Sequence, residues 1–170
     1  MRTLRLLIPL LGLLLFGGSA FAADFIAAPL SGGEEVPANV SKARGNATFD
    51  VSADGLSITY KLIVANIENV VAAHIHCCAP VGVNAGVVAF LAGNFPPGGG
   101  SVDGVLATGT ITAANLVGSL AGHPLTDLLA AMQAGTTYVN VHTNDGVAPI
   151  NTGPGDFPGG EIRSQIRPGD

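Results

Sequence analysis

Apolar and polar residues alternate with a period of two along much of this chain, a pattern that predicts β-strands. Residues 46–52 place Ala47, Phe49 and Val51 on one face, and residues 56–65 follow after a short turn containing Asp54-Gly55. These two segments predict a β-hairpin. The same alternation predicts strands at 69–76, 86–91, 105–112, 137–143 and 160–166, and an additional edge strand at 24–30.

One segment follows a helical rather than an extended period. Leu125, Leu128, Leu129 and Met132 lie at helical spacing within residues 125–134, and Gly135 stands at the expected end. Turn-rich segments with Gly and Pro separate the predicted strands at 31–44, 95–104 and 144–159. The whole pattern predicts an all-β fold, an antiparallel Greek-key β-sandwich or barrel with one short helix.

The N-terminal 23 residues have a different composition from the rest. Two arginines precede an apolar run at 6–16, and Ala20-Phe21-Ala22 has the small-x-small form of a cleavage site. This pattern is typical of a secretory signal peptide, so residues 24–170 are predicted to form a single secreted or periplasmic domain. Without a cysteine at the cleavage site or a second long apolar run, we expect no membrane anchor after cleavage.

The charge of the chain excludes one class of partner. All 12 acidic residues follow residue 23, whereas Arg2 and Arg5 precede it, so residues 24–170 carry 5 basic and 12 acidic side chains. Nucleic-acid binding relies on clustered Lys and Arg, which this domain lacks. We therefore expect no nucleic-acid partner and consider a metal ion or a protein instead.

Three of the four histidines share a strand phase. His74 and His76 alternate with apolar residues on one predicted strand, and His142 follows Tyr138 and Asn140 on another. If the two strands lie in one sheet, these three imidazoles converge, and imidazole is a common ligand of copper and zinc. The competing interpretation is a solvated or hydrogen-bonded sheet face without metal.

Other polar residues have less specific patterns. Glu161 alternates with Ile162 on a third strand and is a possible fourth ligand, or the acceptor that fixes an imidazole tautomer. His123 is out of phase with every strand, which favours a loop or capping role. The adjacent carboxylates of Glu34 and Glu35 point apart, so we predict that they lie in a solvated loop.

Both cysteines of the chain, Cys77 and Cys78, are adjacent and directly follow His76. A secreted chain with two cysteines normally forms one disulfide. Neighbouring Cα atoms are only about 3.8 Å apart, which is below the usual range for disulfides. Three alternatives remain open: a vicinal disulfide or redox-labile pair, thiolate ligands beside the histidines, and intermolecular or free thiols.

Four ordered motifs resemble the CHRD domain, the module named from chordin. They are LSGGEEVP from Leu30, AAHIH from Ala72, YVNVHT from Tyr138 and PGGEIR from Pro158. The resemblance covers about residues 25–166 and implies an extracytoplasmic β-sandwich without a settled activity. Many members carry Gly-Pro where this chain has Cys77-Cys78.

A weaker similarity concerns the His-x-His motif, which is similar to the copper-binding strand of copper-zinc superoxide dismutases. It would match His74 and His76 to that pair and His142 to a later ligand, but the bridging histidine and the zinc ligands have no counterparts. No nucleophile triad or phosphate-binding loop is evident either. The sequence therefore favours a copper-binding protein, with zinc as the alternative metal, over a structural or interaction module and over a dismutase-like redox enzyme.

Overall fold

The computed structural model describes residues 24–169, which form nine β-strands, one α-helix and three short 3₁₀-helices at Gly32–Glu34, Ala113–Asn115 and Gly118–Leu120. The strands are β1 (Phe25–Ser31), β2 (Arg44–Val51), β3 (Ile58–Glu68), β4 (Val70–Cys77), β5 (Gly86–Gly93), β6 (Ser101–Ile111), β7 (Thr137–Thr143), β8 (Ile162–Gln165) and β9 (Arg167–Pro168). The helix α1 spans Leu125–Gln133. The predicted signal peptide at 1–23 lies outside the described residues.

The strands join in a single antiparallel sheet with the order β5-β4-β7-β8-β1-β2-β3-β6, and β9 pairs with β1. The sheet curls until its two end strands, β5 and β6, approach each other. The Tyr60 hydroxyl on β3 closes this gap further by donating to the Leu91 carbonyl oxygen on β5 at 2.7 Å. The predicted antiparallel β-sandwich or barrel with one short helix is confirmed.

Apolar side chains from all the longer strands fill the interior between the curled faces. Fully buried members include Phe49, Leu62, Ile75, Val139 and Ile162. The helix closes one side of this core with Leu128 and Met132, as its helical spacing predicts. The hairpin of β2 and β3 has the predicted Asp-Gly turn, in which Gly55 adopts a positive φ of 70°.

The prediction of an edge strand near the N-terminus is wrong. β1 lies inside the sheet, because it pairs with β2 on one side and with β8 and β9 on the other. Its apolar positions Phe25, Ala27 and Leu30 are buried in the core. Within residues 24–169 no helix is long and apolar enough to cross a membrane.

Candidate metal centre

The three histidines that share a strand phase lie on adjacent strands. β4 and β7 pair antiparallel, with His74 opposite Asn140 and His76 opposite Tyr138. Residues directly opposite each other project from the same face of a sheet. His142 is two residues beyond Asn140 on β7 and therefore projects from that face too.

The imidazole nitrogens of these residues converge. His74 Nδ1 and His142 Nε2 are 3.0 Å apart, and one ligand nitrogen from each of His74, His76 and His142 lies within 4.8 Å of the others. Two nitrogens bound to one tetrahedral zinc ion at 2.0–2.1 Å are about 3.3 Å apart. A small inward shift of His76 would bring all three nitrogens to ligand distances from a single ion.

Backbone carbonyl groups orient two of the rings. His76 Nδ1 is 2.9 Å from the Ala85 carbonyl oxygen, and His142 Nδ1 is 2.9 Å from the Pro158 carbonyl oxygen. In a neutral imidazole, a nitrogen that donates to a carbonyl carries the proton, so the other nitrogen keeps its lone pair. Both residues therefore turn an unprotonated Nε2 towards the cluster, which is the form that binds metals.

The surroundings keep the three rings neutral. Burial, with the neighbouring charges of His142 and His76, lowers the pKa of His74 to about 4. Burial also lowers the pKa of His76 and of His142, against the opposing effect of their hydrogen bonds to the carbonyl groups. At neutral pH His76 and His142 therefore bring free lone pairs to the cluster, whereas the proton that His74 Nδ1 donates to His142 Nε2 has to move before Nδ1 can bind an ion.

Two buried acceptors on this face lack a hydrogen-bond partner. One is Nε2 of His76, a residue that is 9% exposed, and the other is Oδ1 of Asn140, a residue that is 3% exposed. A buried polar atom without a partner costs free energy and is uncommon in native proteins. Both atoms are acceptors and cannot satisfy each other, so each would be satisfied by a donor or a cation.

Aromatic and cationic groups fix the position of His76. Its ring stacks on Tyr138 with the centroids 4.7 Å apart and the planes 4° apart. The Arg163 guanidinium carbon lies 3.4 Å from the centroid of the same Tyr138 ring. Arg163 also donates to the Val83 carbonyl and to Asn84 Oδ1, which holds the segment between β4 and β5 against the site.

This polar face is covered rather than solvated. Tyr138, Asn140 and Arg163 are each no more than 3% exposed. His74 and His142 are half-buried, and the exposed Phe90 packs edge-on against His74 with the ring centroids 4.9 Å apart. Access to the cluster from solvent is therefore on the side of these two histidines.

Glu161 lies outside the cluster, contrary to the expectation that it is a ligand or an imidazole partner. One of its carboxylate oxygens accepts from Ser41 Oγ at 2.5 Å. The other accepts from Thr143 Oγ1 at 2.6 Å and from the Gly155 amide at 2.9 Å. The fully buried Glu161 instead connects three segments of the chain through these hydrogen bonds. Backbone carbonyl groups, and not Glu161, fix the imidazole tautomers.

The cysteines form a disulfide with each other, so neither offers a thiolate to a metal in this structure. Cys77 is buried at the end of β4, and Cys78 is exposed. His123 pairs with Asp127 at 2.8 Å at the start of α1, away from the strands, which agrees with a loop or capping role.

The prediction of a solvated Glu34-Glu35 loop is wrong for the second residue. Glu34 is exposed, but Glu35 is 7% exposed and both of its carboxylate oxygens accept from Asn140 Nδ2 at 2.8 and 2.9 Å. Burial raises the pKa of Glu35 to about 8, although the Arg163 charge and the Asn140 hydrogen bond act in the opposite direction. The nearest sequence signal is Gly32, where a side chain would collide with that of Asn39.

A curled antiparallel β-sheet with a face of three converging, neutral imidazoles defines a β-sandwich module with a candidate metal centre. The model of the CHRD domain matches residues 26–166, and the chain belongs to this family. No curated protein matches the chain. No solved structure matches it either.

Proposed function

We propose that this protein is a secreted or periplasmic CHRD-domain protein that binds a transition-metal ion through His74, His76 and His142. Copper is the foremost candidate and zinc the alternative. The role is to bind, store or deliver the ion rather than to turn over a substrate. Export is supported by the signal-peptide pattern of residues 1–23.

The observation that carries this proposal is the buried Nε2 of His76. It has a lone pair, no hydrogen-bond partner and two further imidazoles beside it. A metal ion bound by His76 Nε2 and by the two neighbouring imidazoles would give this buried lone pair a partner. Nδ1 of His76 and Nδ1 of His142 each bond a backbone carbonyl oxygen. Hydrogen bonds of this kind orient metal-binding imidazoles in proteins.

The donor set favours copper over zinc. Three imidazoles bind either ion, and for a given set of nitrogen ligands Cu²⁺ binds more tightly than Zn²⁺. With three protein ligands and access beside His74, a fourth coordination position is left for water or for an incoming ligand. Such an incomplete shell suits an ion that is to be transferred.

Metal stoichiometry tests the proposal. The purified protein is loaded with Cu²⁺ or Zn²⁺, passed through a desalting column and subjected to elemental analysis. We expect one bound ion per chain in the wild type and loss of that ion in His74→Ala and in His142→Ala. His123→Ala is the matched control, since His123 is an exposed histidine away from the cluster, and it should retain the ion.

Two results would contradict the metal site: no retained ion in the wild type, or unchanged retention in both cluster variants. The second candidate function is a structural or interaction module. It is favoured by the hydrogen bonds of His76 and His142 to the carbonyl groups of Ala85 and Pro158, because these bonds also hold two loop segments against the sheet. In that case the variants lower the melting temperature while no form of the protein retains metal. Superoxide consumption by the copper-loaded protein tests the redox alternative.

A further inference from the structure

A cleft of about 470 Å³ opens beside the polar face, and none of the three histidines lines it. Its walls are mainly apolar and come from Val36, Pro37, Ala38, Ile150 and Phe157. The volume lies within the range of about 300–1,000 Å³ that is typical of small-molecule sites, which are concave, mostly apolar and equipped with a few polar groups. We refer to it as the Glu35 cleft, after the one ionisable residue in its lining.

Glu35 reaches the cleft next to a glycine. A Cβ atom on Gly160, another lining residue, would stand 2.7 and 2.8 Å from the two carboxylate oxygens of Glu35, and Gly160 has a positive φ of 139°. The missing side chain at Gly160 therefore leaves room for the carboxyl group. From the opposite side, Asn140 Nδ2 donates to both oxygens, which fixes the orientation of this carboxyl group.

Among residues 24–169, Arg163 is the one positive charge that acts on Glu35, and the two side chains form no ion pair within 4.0 Å. The Arg163 guanidinium, on β8, donates instead to Asn84 and Val83 and does not line the cleft. Glu161, just before β8, adds a second negative charge on the same side. Asn39 and Asn151, the other polar side chains of the lining, are neutral.

We propose that the Glu35 cleft binds a small organic cation, an amidinium or ammonium group on an apolar body, with Glu35 as the counter-charge. The apolar body would pack against Val36, Ile150 and Phe157, and the cationic group would meet the carboxylate beside Gly160. A planar amidinium matches a carboxylate best, because it forms two parallel charge-assisted hydrogen bonds. None of the three proposed metal ligands lines this site.

Binding of such a cation is coupled to proton release. The pKa of Glu35 is raised to about 8, so the carboxyl group is mainly protonated at neutral pH, facing Arg163, Glu161 and Asn140. A cation in contact with the carboxyl group favours its ionised form. Affinity for the cation therefore rises with pH, by up to about tenfold per pH unit below pH 8, and levels off above it.

Benzamidinium and its neutral isostere benzamide are the probes for this proposal. They have nearly the same shape, and benzamidinium remains charged throughout the pH range used. In titration calorimetry at pH 8.5 we expect benzamidinium to bind at least tenfold more tightly than benzamide. This preference should shrink at pH 6.5, and heats measured in two buffers of different ionisation enthalpy should report proton release at the lower pH.

Variants locate the site. Glu35→Gln keeps an acceptor for Asn140 Nδ2 and should abolish the preference for the cation, whereas Glu34→Gln, a change in the exposed neighbouring carboxylate, should keep it. Ala38→Phe narrows the cleft without touching the carboxyl group and should weaken both probes. Equal binding of the two probes, or an unchanged preference in Glu35→Gln, would overturn the proposal.

Discussion

The imidazole of His76 lies flat against the phenol ring of Tyr138, with the centroids 4.7 Å apart and the planes 4° apart. The Tyr138 hydroxyl accepts from the Ala85 amide at 3.0 Å, and the Ala85 carbonyl oxygen is also the partner of His76 Nδ1. One ring and one backbone segment thus hold His76 in place. These contacts fix the orientation of the candidate metal ligand whose Nε2 has no hydrogen-bond partner.

The Tyr138 hydroxyl should contribute to stability in a measurable way. Tyr138→Phe keeps the stacked ring and removes the hydroxyl from the Ala85 backbone, so we expect the free energy of unfolding to fall by about 1 kcal/mol. Urea denaturation measures this change. Tyr60→Phe, which removes the hydroxyl bonded to Leu91, is a comparison variant that should leave metal retention unaltered.

Metal binding should stabilise the folded protein. An ion that binds only the folded state, at a free concentration about one hundred times its Kd, raises the free energy of unfolding by about 2.7 kcal/mol. We expect zinc to raise the melting temperature of the wild type and of His123→Ala, and to leave that of His142→Ala unchanged. A similar increase in all three proteins would place the bound ion elsewhere.

The neutral histidine cluster should make the metal-free protein sensitive to acid. The pKa of His74 is about 4 in the folded protein against 6.5 as its ordinary value, so between these values the unfolded chain binds the proton more readily. The stability that neutral His74 provides is present above pH 6.5 and is lost as the pH falls towards 4. The melting-temperature difference between wild type and His74→Gln should therefore shrink from pH 7.5 to pH 5.

Glu35 should give the opposite dependence on pH. Its pKa is about 8 in the folded protein against 4.5 as its ordinary value, so the folded state holds the proton more tightly between these values. Folding is therefore penalised increasingly as the pH rises from 4.5 to 8. Relative to wild type, Glu35→Gln should melt at a higher temperature at pH 8.5 than at pH 5, whereas Glu34→Gln should show a flat difference.

Glu161 should support the fold rather than ligate the metal. Glu161→Gln replaces a fully buried acceptor of three hydrogen bonds, from Ser41, Thr143 and Gly155, by a group with one acceptor atom. We expect the free energy of unfolding to fall by about 2–4 kcal/mol. Below its melting temperature the variant should retain one metal ion per chain, and loss of the ion without loss of stability would contradict this role.

The sequence by itself determined the strands, the helix and the phase of the histidines. A period of two in apolar residues reports which side chains face the core, since burial drives that alternation, and the predicted segments correspond to strands β1 to β8. For the same reason the shared phase of His74, His76 and His142 is visible without a structure. The four CHRD motifs then identified the family of domains to which this pattern of strands belongs.

Only the tertiary structure decided which strands are neighbours and what covers the polar face. The order β4-β7-β8 results from long-range pairing, which local periodicity does not encode, and it brings His142 to His74. The burial of Glu35 and the role of Glu161 depend on loops that contain no periodic signal. Their positions follow from hydrogen bonds between residues far apart in the chain, such as Ser41 and Glu161, which are 120 positions apart.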